Sequence, residues 1–122
     1  MKINSRDVDG ITILDMEGRI TLGEDIAALK QVIGGLIAAG RKLVLLNLRD
    51  VPYIDSSGIG ELVTAFTKIR NSGGELKLLN LTSKVRTLLE ITRLYAIFDI
   101  GDDEAAAIHS FSSGEHFLTK RP

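Results

Sequence analysis

The chain has 122 residues, 44% of them hydrophobic and 25% charged, and a net charge of −1 from 15 basic and 16 acidic side chains. One domain of this length buries roughly 65% of the surface of its unfolded form and needs no metal or disulfide to fold, and the composition is that of a soluble globular protein, not a disordered or membrane one. The lack of cysteine excludes thiolate chemistry, the balanced and scattered charge argues against nucleic acid as a partner, and the absence of both a spanning-length apolar run and a signal-peptide segment leads to the expectation of a cytoplasmic protein without membrane insertion.

Ile3 to Val8 is a short first strand, and Ile11 to Glu17 is a clearer one, rich in β-branched residues. Asp9-Gly10 between them favours positive φ at both turn positions and predicts a hairpin. Gly18 breaks the second strand. Thr21-Leu22-Gly23-Glu24 matches a capping box and places a helix start there. Leu22, Ile26, Leu29, Ile33, Leu36 and Ile37 form its inward stripe, and Gly40 ends it. Gly34-Gly35 within the helix predicts either close packing on the sheet or a weak point.

Lys42 to Leu48 is a nearly continuous apolar run, the pattern of a central strand covered on both faces. After the loop Arg49 to Ile54 comes Asp55-Ser56-Ser57-Gly58-Ile59-Gly60, where strand pattern gives way to helix pattern. The helix that follows has Ile59, Leu62, Val63, Phe66 and Ile69 inward, Glu61, Lys68 and Arg70 outward, and Gly73-Gly74 at its end. Glu75 to Leu79 is the next strand. Thr82 or Ser83 caps a third helix carrying Val85, Leu88, Leu89 and Ile91, Ile97 to Ile100 is a last strand, and Asp102 or Asp103 caps a final helix. The expected fold is α/β, with four to five strands and about four helices in the order β-β-α-β-α-β-α-β-α. Residues 1–114 form the domain and residues 115–122 a C-terminal tail.

Chemistry concentrates at Ser56 and Ser57. Hydroxyls at a helix N-terminus lie beside unpaired N–H groups and the positive end of the helix dipole, a favourable place for a phosphate. Gly58-Ile59-Gly60 lacks the third glycine of a dinucleotide fingerprint, since position 63 is Val, and no P-loop occurs. A hydrolase serine would need a glycine in place of Ile54 and a basic partner, for which only His109 and His116 are available. Neither histidine has metal-ligand spacing. No catalytic residue, cofactor or metal is therefore expected. Capping alone accounts for an isolated Asp55-Ser56-Ser57. The position after a buried strand, in a domain with no other chemistry, points further.

Val51 to Asn80, read as V-P-Y-I-D-S-S-G-I-G-E-L-V-T-A-F-T-K-I-R-N-S-G-G-E-L-K-L-L-N, resembles the central motif of the STAS domain family in its bacterial anti-sigma factor antagonist form. Gly18-Arg19-Ile20, Leu81 to Leu94 and Ile97-Phe98 extend the likeness. The resemblance implies a non-enzymatic regulator of transcription that in its unphosphorylated form sequesters an anti-sigma factor serine kinase of GHKL type, with a PP2C-type phosphatase resetting the cycle. By position the phosphorylation site is Ser56, with Ser57 as alternative, and the partner-binding residues are Asp55, Ser56, Ser57, Gly58, Ile59 and Thr21. Thr21 stands where the family often carries Asp. The competing expectation is a constitutive STAS scaffold or ligand-binding subunit of a signalling or lipid-transport assembly.

Overall fold

Asp9 (φ 53°) and Gly10 (φ 83°) both take left-handed conformations, and the hairpin they form pairs β1 (Lys2–Val8) antiparallel with β2 (Ile11–Glu17). The computed structural model describes residues 1–113. The remaining elements are α1 (Glu24–Ala38), β3 (Leu43–Asp50), α2 (Ser56–Asn71), β4 (Glu75–Leu79), α3 (Ser83–Ile91), β5 (Ile100–Gly101) and α4 (Glu104–Ser113), which is the expected order. The sheet runs β1-β2-β3-β4-β5, parallel from β2 onward. The expected domain limit at 114, the tail 115–122 and His116 lie outside the described residues.

Strand alternation divides the apolar residues between two layers. Leu14, Met16, Val44, Leu46, Leu76 and Leu78 face the larger core, closed by Leu29 and Ile33 of α1, Leu62 and Ile69 of α2, and Val85 and Leu89 of α3. Ile11, Ile13, Leu45 and Leu79 face the other way, against Ala107, Ile108 and Phe111 of α4. The continuous run in β3 is thus covered on both faces, as its composition implies. Asp103 caps α4, its carboxylate accepting from the Ala106 N–H at 2.9 Å.

Several local expectations are corrected. Helix α1 begins at Glu24 behind Gly23 (φ 111°), which supplies no side-chain cap. The Thr21 hydroxyl and N–H donate instead to Asp25 Oδ2, at 2.9 and 3.2 Å. The predicted capping box therefore does not form, since the Thr21 hydroxyl donates to a carboxylate instead of accepting a helix N–H, and Leu22, left outside the helix, is 76% exposed. Ile91, at the last turn of α3, is also exposed. Gly34 and Gly35 do not pack closely, because a Cβ on either would meet nothing within 4 Å. Glu61 is buried, since Lys30 reaches across from α1 to pair with it at 2.8 Å.

The last strand is shorter than expected. Phe98 is held in the core by edge-to-face packing on Phe66 (5.3 Å, 75°), and the chain joins the sheet only at Ile100 and Gly101, beside Leu78 and Leu79. Lys77, on the alternating strand β4, is buried under α4. Its ammonium donates to Ser110 Oγ at 2.9 Å, lies 3.7 Å from Asp99 and sits 4.8 Å from the centre of the Phe111 ring. Burial pushes its pKa down, against the pull of Asp99.

Because Gly34 and Gly35 occupy open positions inside α1, alanine at either site is expected to stabilise the fold by about 0.5–1 kcal/mol through helix propensity. Urea unfolding of Gly34→Ala and Gly35→Ala measures it. A loss of stability in both would show that the helix needs its glycines.

Candidate functional site

The C-terminal ends of the parallel strands deliver three helix N-termini to one edge of the sheet: β2 leads to α1, β3 to α2 and β4 to α3. In open α/β sheets this edge is where ligands and partners are received. Ser56 and Ser57 open α2 there.

Asp55 is the N-cap of α2, with extended backbone (φ −97°, ψ −179°), and its Oδ1 accepts from the Gly58 N–H at 2.8 Å. Its other oxygen, Oδ2, accepts from the Leu22 N–H at 3.1 Å, on the neighbouring loop that leads into α1. One carboxylate thus ties two loops together. The N–H of Gly58, followed by that of Leu22, holds the Asp55 pKa below its ordinary value, since both bonds favour the charged form.

The same two loops are joined by backbone. Ile20 and Ile54 form a parallel bridge, with Ile20 N–H donating to Tyr53 O at 3.1 Å and Asp55 N–H to Ile20 O at 3.3 Å. The Arg19 guanidinium lies 5.1 Å from the Tyr53 ring centre. On the other side, the Thr82 hydroxyl donates to Val51 O at 2.8 Å and anchors the approach to α3. Gly58 is where this packing is tightest. A Cβ there would sit 2.3 Å from Ile20 O and 2.6 Å from Ile54 Cγ1, whereas one on Gly60 would meet open space. The glycine pair that resembles a phosphate loop in sequence is thus one packing glycine and one free position.

Since Asp55 performs the capping, the serines are free for other work. Ser56 is exposed, and its hydroxyl takes no hydrogen bond among the described residues; Ser57 is half-buried. Gly58 and Ile59, expected on the partner-binding surface, are buried; Ile59 belongs to the core and supports the site from beneath. Thr21 is half-buried and turned to Asp25. An open groove of about 350 Å³ runs from Tyr53 and Ser56 to Lys84, Leu88 and Ile91 of α3. Sequence periodicity grouped Leu22 and Ile91 with the apolar residues of their helices, and so missed two exposed apolar side chains near Ser56. The signal was there in the glycine after Leu22 and in the position of Ile91 at a helix end.

His109 is exposed on α4, on the opposite layer of the sheet from α2. Among the described residues no group of three or more His, Asp or Glu is placed to hold a metal ion. No described helix is long and apolar enough to cross a membrane.

A model of the STAS domain matches residues 2–107. The anti-sigma-B factor antagonist of Listeria monocytogenes is 34% identical over 109 residues, covering 85% of this chain and 90% of that one. A Thermotoga maritima protein solved as a candidate anti-sigma factor antagonist superposes with a TM-score of 0.83 at 28% identity, over 90% of this chain and 94% of that one. The Bacillus cell-fate determinant SpoIIAA, solved in its phosphorylated form, shares the fold, with a TM-score of 0.69 at 17% identity over 88% of this chain and 98% of that one.

Gly58→Ala is expected to destabilise the protein by more than about 2 kcal/mol, because the clash is with backbone that cannot move away cheaply. Gly60→Ala is expected to be neutral or stabilising. Equal thermal midpoints for Gly58→Ala and the unsubstituted chain would contradict this geometry. The Asp55 clamp has a definite pH dependence. Its lowered pKa means that the folded chain binds fewer protons than the unfolded one, so the contribution is full above the unfolded value of about 3.9 and is lost as pH falls through the folded one. The amide proton shifts of Leu22 and Gly58 are expected to titrate together below about pH 3.9; independent titrations would mean that one carboxylate does not serve both.

Proposed function

The chain belongs to the STAS domain family, and from that premise we propose that it is an anti-sigma factor antagonist controlled by phosphorylation of Ser56. The family consists of binding proteins, not enzymes, and the observation that carries the reading is the exposed Ser56 hydroxyl, released from capping by Asp55. In this reading the unphosphorylated chain binds an anti-sigma factor serine kinase of GHKL type in the cytoplasm and so frees a sigma factor. Ser56 Oγ attacks the γ-phosphorus of the kinase's ATP, an O–P bond forms as ADP leaves, and the hydroxyl proton passes to a base on the kinase. A PP2C-type phosphatase hydrolyses the ester and restores the hydroxyl.

The geometry supports Ser56 over Ser57, since Ser56 is the more exposed of the two and opens on the groove. It also supports a switch that acts on binding and not on the fold. A phosphate adds a charge of about −1.5 to −2. At the first residue of α2 that charge meets the positive helix end, an interaction favourable by about 0.3–1 kcal/mol. At a docked interface the same charge must be desolvated beside Asp55, and like charges there cost several kcal/mol. Each 1.4 kcal/mol lost weakens binding about tenfold. Thr21, Asp55, Ser56 and Ser57 form the polar part of the proposed contact, with Leu22 and Tyr53 as its exposed apolar part.

Ser56→Ala is expected to bind the kinase and take up no phosphate. Ser56→Asp is expected to bind at least about tenfold more weakly with a thermal midpoint no lower than that of the unsubstituted chain. Intact-mass analysis with the cognate kinase and ATP, paired with titration calorimetry, measures both. Undiminished phosphate uptake by the Ser56→Ala, Ser57→Ala double variant would overturn the site.

A further inference from the structure

We propose that the groove between the first turns of α2 and α3 is a cradle for the phosphate of Ser56, in which the Lys84 ammonium pairs with that phosphate across the groove. The inference rests on Ser56 being the acceptor and adds where the phosphate is held. Ser56 of α2 and Lys84 of α3 both line the same open groove of about 350 Å³. Lys84 is exposed and has no hydrogen bond or ion pair among the described residues, and its flexible four-carbon stem lets the ammonium swing toward a new charge.

The position of this lysine is unexplained by the helix that carries it. Lys84 is the second residue of α3, whose first turn holds no acidic residue, and Thr82, the N-cap, makes no side-chain cap. The Thr82 hydroxyl is committed to Val51 O. A cation at that end opposes the helix dipole, so Lys84 does nothing for α3 itself. Asp55 is the other charged residue lining the groove, and its two oxygens are already engaged by the Gly58 and Leu22 N–H groups. Among the described residues, two positive helix ends and one unpaired ammonium therefore border a groove whose only carboxylate is occupied, and they border it at the hydroxyl that would carry the charge.

The pair also says how the switch would block a partner. A phosphate held by Lys84 occupies part of the groove between Tyr53 and Ile91, both exposed, and puts a hydrated charge where an apolar group would dock in the unphosphorylated state. Repulsion by the charge and occupation of the groove then act together.

The test installs phosphoserine at position 56 of the full chain by genetic-code expansion, which needs no kinase, and follows the phosphate by ³¹P NMR from pH 4 to 8. The second ionisation is expected at least about half a unit below the value near 6 of unpaired phosphoserine. Lys84→Gln is expected to return it toward that value and Lys84→Arg to keep it low, with thermal midpoints unchanged because the side chain is exposed. Identical titrations in the unsubstituted and Lys84→Gln chains would overturn the proposal, even if the helix ends alone lower both. Failure of every candidate kinase to modify Ser56 would instead overturn the phosphorylation reading and leave this titration as it is.

Discussion

The site depends on one carboxylate serving two loops. Asp55 accepts from its own helix through Gly58 and from the entry to α1 through Leu22, and the Ile20–Ile54 bridge reinforces the junction. This arrangement fixes the direction in which α2 leaves the sheet and the height at which Ser56 stands above it. Gly58 is required because the loop carrying Ile20 passes where a side chain would be.

That division of labour explains how a charge could be added at Ser56 without disturbing the domain. The residue beneath it, Ile59, is locked in the core, while the cap next to it is a different side chain. In the proposed function, modification there would change what the surface presents and leave the packing as it was. The exposed apolar residues Leu22, Tyr53 and Ile91 sit around the same edge, so a partner would meet an apolar surface with one switchable hydroxyl near its centre. On the opposite layer α4 covers Lys77 and the smaller core, away from this edge.

Much of this was legible in the chain itself. Asp9-Gly10, Gly40 and Gly73 announce their turns because positive φ is a local demand, and all three adopt it. The Asp-Ser-Ser-Gly junction is legible because capping chemistry and the strand-to-helix change coincide there. What was not legible depends on contacts distant in sequence. Glu61 reads as a solvent residue until Lys30 comes across from another helix. Lys77 reads as the exposed half of an alternating strand until α4 covers it. Leu22 and Ile91 fit the helical period, but a period does not say where a helix stops, and at both places the chain leaves the core just as the pattern continues. The second role of Asp55 is of the same kind, since a partner 33 residues away in sequence leaves no local trace.

In the proposed switch, charge at Ser56 acts on the interface and not on the fold. Amide hydrogen exchange of the chain with and without phosphate at Ser56 tests it most directly, because exchange reports opening of each element separately. Protection factors in β3 and α2 are expected to agree within about a factor of three, a difference under about 1 kcal/mol in opening free energy, while the phosphorylated chain fails to bind the kinase that the unmodified chain captures. Loss of protection along α2 on phosphorylation would contradict it and make the switch a melting of the helix.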